Sequence, residues 1–361
     1  MKVLLVAGAR PNFMKIAPLY REALAMRSIN CMLVHTGQHY DYEMSQAFFD
    51  DLQIPKPHYF LGAGSGSHAV QTAKIMTSFE EVCLKERPRI AVVVGDVNST
   101  LACSITAKKL LIDVAHVEAG LRSGDMSMPE EINRIVTDSI SDYLFVTEKS
   151  GIENLRNEGK SEDSIFFAGN VMIDTLYFQL RRLKDGAVPV GIPKPDRPYA
   201  VVTLHRPSNV DNREKLRELL LALVKISEDM PVIFPIHPRT SKNIEEFGFT
   251  ELIRRSDISL IAPLSYMPFL MLWKDAALVL TDSGGLQEET TALGIPCFTI
   301  RENTERPVTI TEGTNILVGT DHDGIMAAYG RFTKGEIKGG RVPELWDGKA
   351  AQRIMKVLGE R

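Results

Sequence analysis

At 361 residues the chain has the length of two domains, at ~150 residues each. Its 44% apolar and 24% charged content is that of a globular protein and excludes long disordered regions. A formal net charge of −4 speaks against a nucleic-acid partner held by bulk positive charge.

The chain opens on Val3–Ala7, an apolar run broken at once by Gly8-Ala9-Arg10-Pro11, too short for a signal peptide. Further short apolar runs follow at Cys31–His35, Ile90–Gly95, Val114–Val117 and Tyr143–Thr147. The second half adds Tyr199–Leu204, Val232–Ile236, Ile258–Ala262, Ala277–Leu280 and Pro296–Ile300. Nearly continuous Val, Ile, Leu and Ala predict strands buried on both faces. Between them, Met14–Arg27, Ser67–Arg87, Leu101–Leu111 and Asn212–Glu228 carry helical periodicity. Strand–helix alternation predicts an α/β protein with parallel sheets covered by helices. Ten strands are many for one sheet, so two doubly wound domains are expected, 1–170 and 171–345. The boundary falls near Gly169-Asn170 or in the proline-rich segment 185–198.

No run approaches the ~18 apolar residues of a membrane span. Cys31, Cys83, Cys103 and Cys297 have no C-x-x-C spacing, which argues against a thiolate zinc site or a disulfide scaffold. They read as small buried residues of a cytoplasmic protein.

Ligands of doubly wound sheets bind beyond the carboxyl ends of the strands, and there the polar residues gather. Gly8 to Lys15 follow the first run, and Thr36-Gly37-Gln38-His39-Tyr40-Asp41 the second. Asp96 follows Ile90–Gly95, and Glu118-Ala119-Gly120 continues the next run, with Pro129-Glu130-Glu131 and Asn133-Arg134 behind it. A lone Asp after a strand is most often a helix N-cap, which is the plain reading of Asp96. Glu118 has no capping role. One of Glu130 and Glu131 is accounted for by the dipole of a helix start. In the second half, His205-Arg206, His237-Pro238-Arg239 and Asp282-Ser283-Gly284-Gly285 take the same places. The last opens a helix, so its glycines and free N–H groups suit a phosphate, and Glu289 lies further along to meet ribose hydroxyls. Gly62-Ala63-Gly64-Ser65-Gly66 matches no full dinucleotide fingerprint. There is no G-x-x-x-x-G-K-[ST] loop, which disfavours an ATPase, and neither His205 nor His237 has a partner at metal-ligand spacing.

Taken together, these clusters resemble the non-hydrolysing UDP-N-acetylglucosamine 2-epimerases. The resemblance runs over about residues 1–320. It rests on Gly8-Ala9-Arg10-Pro11 with Lys15, Gly95-Asp96, His116 to Arg122, Pro129-Glu130-Glu131, His205-Arg206, Leu280 to Gly285 with Gln287-Glu288-Glu289, and Thr304-Glu305-Arg306-Pro307. It implies two Rossmann-like domains facing across a cleft, as in glycosyltransferases of the B type, with a last helix within 346–361 packed back on the first domain. It implies reversible C2 epimerisation of a UDP-sugar by elimination of UDP and re-addition, with no cofactor, no metal, no nucleic-acid or membrane partner, and a homodimer. Asp96, Glu118, Glu130 and His205 are the implied catalytic set. Arg10, Ser283, Gly284, Gly285, Glu289 and Arg306 are the implied nucleotide contacts, with Lys15, Gln38, His237 and Phe269 in the cleft. Departures from the family pattern after His39 and Arg206 leave room for a modified sugar and put self-activation by substrate in doubt. A hydrolysing epimerase, a glycosyltransferase on the same scaffold and a silent UDP-sugar sensor are the competing readings.

Overall fold

The computed structural model describes residues 1–38, 49–186, 194–337 and 339–360. Two compact units emerge. One is Met1–Arg182 together with Glu344–Arg361, and the other is Leu183–Pro343. Part of the proline-rich segment, residues 187–193, lies outside the described residues.

The first unit is built on β1 (Lys2–Ala7), β2 (Asn30–His35), β3 (Tyr59–Phe60), β4 (Ile90–Val94), β5 (Asp113–Ala119), β6 (Tyr143–Val146) and β7 (Ile165–Phe167). They form one sheet in the order β3-β2-β1-β4-β5-β6-β7, parallel throughout. The second unit carries β8 (Ala200–Thr203), β9 (Val232–Pro235), β10 (Ile258–Ile261), β11 (Leu278–Thr281), β12 (Cys297–Thr299) and β13 (Asn315–Leu317). Their order is β10-β9-β8-β11-β12-β13, again all parallel. Strand order reverses between β1 and β4 in one sheet and between β8 and β11 in the other. Those reversals open the crevices in which doubly wound folds hold ligands.

The ten expected strands are present. The three that the apolar runs did not announce, β3, β7 and β13, each lie at a sheet edge. An edge strand is covered less fully, and these are two or three residues long and mostly half-buried, so they carry no continuous apolar signal. The helix His68–Glu86 begins where Ser67 accepts a hydrogen bond from the Val70 N–H and ends at left-handed Arg87. The helix Arg213–Ser227 begins where Asn212 accepts from Lys215 N at 3.0 Å. The first helix, Arg10–Ala25, contains Pro18, which cannot bond the Met14 carbonyl. Thr175 Oγ1 donates to that carbonyl instead, at 2.6 Å, and so ties the helix Val171–Lys184 to the first unit.

The last helix, Ala350–Gly359, also packs against Arg10–Ala25. Its start is capped by a residue far away in sequence: Asp174 accepts from Ala350 N at 3.1 Å and from Ala351 N at 2.7 Å. Burial pushes the Asp174 carboxyl up to about 6, against those two N–H donors, which pull it down. A raised folded-state value favours the protonated folded form, so this group's contribution to stability declines as pH rises from about 4 to about 6. Asp174→Ala removes the cap and is expected to cost about 0.5–2 kcal/mol near pH 4. Urea unfolding at a series of pH values should show the gap to the native protein narrowing as the pH is raised to 6. A gap that widens over that range would contradict this account of Asp174.

Candidate active site

In the first unit the crevice begins at Gly8. A Cβ there would lie 2.0 Å from Ser99 Oγ, so only glycine fits beside the helix Asn98–Lys109. Asn12 stitches the spot together: its Oδ1 accepts from Gly8 N (3.2 Å) and Ala9 N (2.9 Å), and its Nδ2 donates to Val94 O (3.0 Å). Arg10, the first residue of its helix, is exposed. Lys15, one turn further in, is buried and pairs with Glu118 Oε2 at 2.5 Å. Gly95 leaves room for it, since a Cβ there would meet Lys15 Nζ at 2.9 Å.

Glu118 is buried and sits at φ +77°, where β5 shifts register against β6 between Val117 and Ala119. Such a backbone costs about 1–3 kcal/mol in a residue with a side chain and collects at functional sites. The segment is braced on both sides. His116 Nδ1 lies 2.6 Å from Asp138 Oδ1, and its Nε2 lies 2.8 Å from the Gly95 carbonyl. Asp138 also accepts from Gly120 N at 3.0 Å and pairs with Arg122 at 2.8 Å. Burial alone would raise the Asp138 carboxyl, but His116, Arg122 and the Gly120 N–H hold it below the ordinary range.

Asp96 is not a helix cap. The following helix starts at Asn98 with Val97 in the cap position, and Asp96 instead meets Arg134. Glu130 lines a cavity of about 320 Å³ with Gln38, Ser65, His68, Gln71, Asn98 and Asn133. Gln38, itself buried, is held by Ser99, whose N–H and Oγ both donate to Gln38 Oε1, at 3.1 and 2.7 Å. Residues His39, Tyr40 and Asp41 lie outside the described residues. Of the pair Glu130-Glu131, Glu131 is the buried one; it accepts from Ser123 N and Gly124 N and pairs with Arg134.

In the second unit the crevice centres on Asp282, which is fully buried at the end of β11. Its Oδ2 accepts from His205 N (3.0 Å), Arg206 N (2.8 Å) and Asn209 Nδ2 (3.2 Å), and its Oδ1 lies 3.0 Å from His205 Nδ1. Burial would raise this carboxyl, but His205 and the backbone donors hold it low. His205 is thereby oriented by a buried carboxylate while its side chain stays 44% exposed. His237 caps the helix Pro238–Glu246, and its ring centre lies 6.1 Å from that of His205. Burial, with the charge of His205 and Arg239, lowers the His237 value.

The turn Ser283-Gly284-Gly285 is half-buried and opens the helix Gly284–Leu293; the Ser283 side chain does not cap it. The first N–H groups of a helix have no partner within it, which is the geometry that captures an anion. Beneath the turn lies a buried ionic cluster. Arg306 pairs with Glu288 (2.7 Å) and Glu305 (2.5 Å), and Arg301 pairs with Glu305 (2.7 Å). The Arg306 guanidinium also lies beside the turn: a Cβ at Gly284 would sit 3.3 Å from its Nη1. Glu289 is buried and accepts from the Tyr266 hydroxyl at 2.5 Å. Burial, with Glu288 beside it, pushes its carboxyl up to about 8. Phe269, on the same helix as Tyr266, is half-buried.

Reading residues after strands named Glu131 and Arg134 but gave them no part in the site, His116 entered only through the resemblance, and Asp138 and Tyr266 were not singled out. Buried polar residues in helix interiors carry no local mark that separates them from a solvated face. Among the described residues no cluster of His, Cys, Asp or Glu is placed to hold a metal, and no helix is long and apolar enough to cross a membrane.

A family model described as UDP-N-acetylglucosamine 2-epimerase matches residues 22–359. The UDP-N-acetylglucosamine 2-epimerase of Methanocaldococcus jannaschii is 43% identical over 369 residues, covering 99% of each chain. The UDP-2,3-diacetamido-2,3-dideoxy-D-glucuronate 2-epimerase of Pseudomonas aeruginosa is 39% identical over 369 residues, covering 100% of each. The crystal structure of the M. jannaschii protein in complex with UDP-GlcNAc and UDP has a TM-score of 0.88 at 41% identity and covers 100% of both chains.

Proposed function

The chain belongs to the UDP-N-acetylglucosamine 2-epimerase family, and from that premise we propose that it interconverts UDP-N-acetylglucosamine and UDP-N-acetylmannosamine. The observation that carries the reading is the acid set Asp96, Glu118 and Glu130, gathered by β4, β5 and one helix start in a chain that the family model matches over residues 22–359. The C2 proton of the sugar is not acidic in the ground state. Cleavage of the C1–O bond gives oxocarbenium character at C1 and acidifies C2–H. UDP leaves with the bonding electrons, a carboxylate takes the proton, and 2-acetamidoglucal remains. Return of UDP to C1 and of a proton to the opposite face of C2 gives the epimer. Two faces need acid/base groups, which is what a set of several carboxylates supplies. Asp96, Glu118, Glu130 and His205 serve the sugar. Ser283, Gly284 and Gly285 serve the diphosphate through the backbone, Arg10, Glu289 and Arg306 complete the nucleotide site, and Lys15, His237 and Phe269 contribute to substrate binding. A cytoplasmic homodimer goes with this reading; the four buried free cysteines suit a reducing compartment, and light scattering tests the dimer.

The test is NMR of UDP-N-acetylglucosamine incubated with the protein in deuterium oxide. The manno product and the recovered substrate should both carry deuterium at C2. Free N-acetylmannosamine would mean a hydrolysing enzyme. A second reading, a uronate substrate with two acetamido groups, draws on the 39% identity to the P. aeruginosa enzyme. It takes over if only that sugar is turned over.

Gly284→Val probes the diphosphate site. A Cβ at 284 would already lie 3.1 Å from Glu305 Oε1 and 3.3 Å from Arg306 Nη1, so a branched side chain must displace the ionic cluster or fill the approach to the turn. UDP affinity is expected to fall more than tenfold, above ~1.4 kcal/mol. Calorimetry showing unchanged affinity in the folded variant would remove the turn from the site.

A further inference from the structure

The helix Pro129–Ile140 has a function that its acidic start does not reveal. Residues 130, 134 and 138 recur every four positions and so share one face. Glu130 lines the cavity itself. Arg134 reaches the end of β4, where Nε and Nη2 both donate to Asp96 Oδ2, at 3.1 and 2.8 Å. Asp138 braces β5 on either side of Glu118, through His116 and the Gly120 N–H. Each of the three acids is therefore carried or braced by this one helix.

Arg134 is the member that touches an acid directly. It is 3% exposed, and a buried guanidinium is tolerated only when its donors are met. Its second partner is Glu131, one turn back, itself 1% exposed and pinned by Ser123 N and Gly124 N. The neighbouring Asn133 Nδ2 donates to the Asp96 carbonyl at 2.8 Å. Main chain and carboxylate of Asp96 are thus held by consecutive residues of the helix that carries Glu130. Because both guanidinium bonds converge on one oxygen, the clamp also sets the direction of the other. A guanidinium at this distance favours the charged form of a carboxylate.

We propose that Arg134, clamped by Glu131, is a positioning residue that fixes the pose and the negative charge of Asp96 beside the Glu130 cavity. The proposal rests on the reading of Asp96 as a group that meets the reacting sugar.

The experiment is the pH dependence of kcat/KM for the full-length protein with UDP-N-acetylglucosamine, run on Arg134→Met, Arg134→Lys and Asp96→Asn. Arg134→Met is expected to lower kcat about 100-fold, the cost of a misplaced group, with UDP affinity unchanged. Its acid limb should move up by about one pH unit or more, because the neighbouring cation is gone. Arg134→Lys keeps the charge and loses the fork, so it should keep the native acid limb with kcat about tenfold down. A folded Arg134→Met with the acid limb in its native place would reduce Arg134 to a structural residue and overturn the proposal. If Arg134→Met does not fold, the lysine variant decides, and native kcat there overturns it equally. Near-native turnover of Asp96→Asn would instead show that the reading of Asp96 itself is wrong.

Discussion

Glu118→Gln is expected to lower turnover of UDP-N-acetylglucosamine by at least ~100-fold, the usual scale of an acid/base group, with UDP affinity changed less than about threefold. The substitution keeps the size of the side chain and removes its charge, so it isolates chemistry from packing. Three observations single out this residue. It is buried against Lys15 at 2.5 Å. It holds a left-handed backbone conformation at φ +77°, which a side chain adopts only under constraint. The residues around it, His116 and Gly120, are anchored to one buried aspartate. A fold that maintains strain at one carboxylate and braces it from both sides does so for the direction in which that carboxylate points. Asp96→Asn and Glu130→Gln should show losses of the same order. UDP affinity should survive because the Ser283–Gly285 turn belongs to the other sheet. Steady-state kinetics and calorimetry on the three variants check this, and near-native turnover in all of them would end the assignment. Slow variants should also release 2-acetamidoglucal and UDP, detectable by NMR.

Gly120→Ala is expected to cost the first unit about 3 kcal/mol or more. Two penalties combine there. Gly120 lies at φ +80°, a conformation costing a residue with a side chain about 1–3 kcal/mol. A Cβ would also sit 2.4 Å from the Gly151 carbonyl oxygen and 2.9 Å from its Cα, a backbone clash that no rotamer relieves, at a further cost of about 1–3 kcal/mol. The strand must shift, and the bond from Gly120 N to Asp138 then weakens along with the brace on Glu118. Lower stability and lower turnover should therefore appear together. Urea unfolding followed through Trp346, which is buried in the first unit with its indole N–H on Thr147 O, reads the first effect. An unchanged midpoint would mean that the loop around Gly151 yields at no cost.

Much of this is legible in the sequence alone. Central strands pack on both faces, so β1, β4, β5, β8 and β11 announce themselves as continuous apolar runs, and the polar residues that follow each run mark the crevices. Glycines 8 and 95 stood in those motifs, and the structure supplies the reason: Ser99 and Lys15 occupy the space of a side chain. What a single strand or helix does with its own residues can be read locally, because burial and periodicity are local properties.

The remainder depended on pairs far apart in the chain. Asp96 reads as a cap by its position after a strand, and only its approach to Arg134, 38 residues on, shows it to be a clamped carboxylate. Of two adjacent glutamates at one helix start, the tertiary structure turned Glu130 to the cavity and buried Glu131 against Arg134. Arg306 and Glu289 carry the residue types of a nucleotide site, but their partners were set by long-range packing: Arg306 lies between two carboxylates, and Glu289, its carboxyl pushed up to about 8, against Tyr266. The edge strands β3, β7 and β13 were decided the same way, by a neighbouring strand and not by their own composition. The sequence by itself determined which residue types stand at the ends of the buried strands. Charge state, side-chain direction and the bend at Glu118 were decided by tertiary structure, because each is the balance of desolvation against partners that the linear order does not bring together.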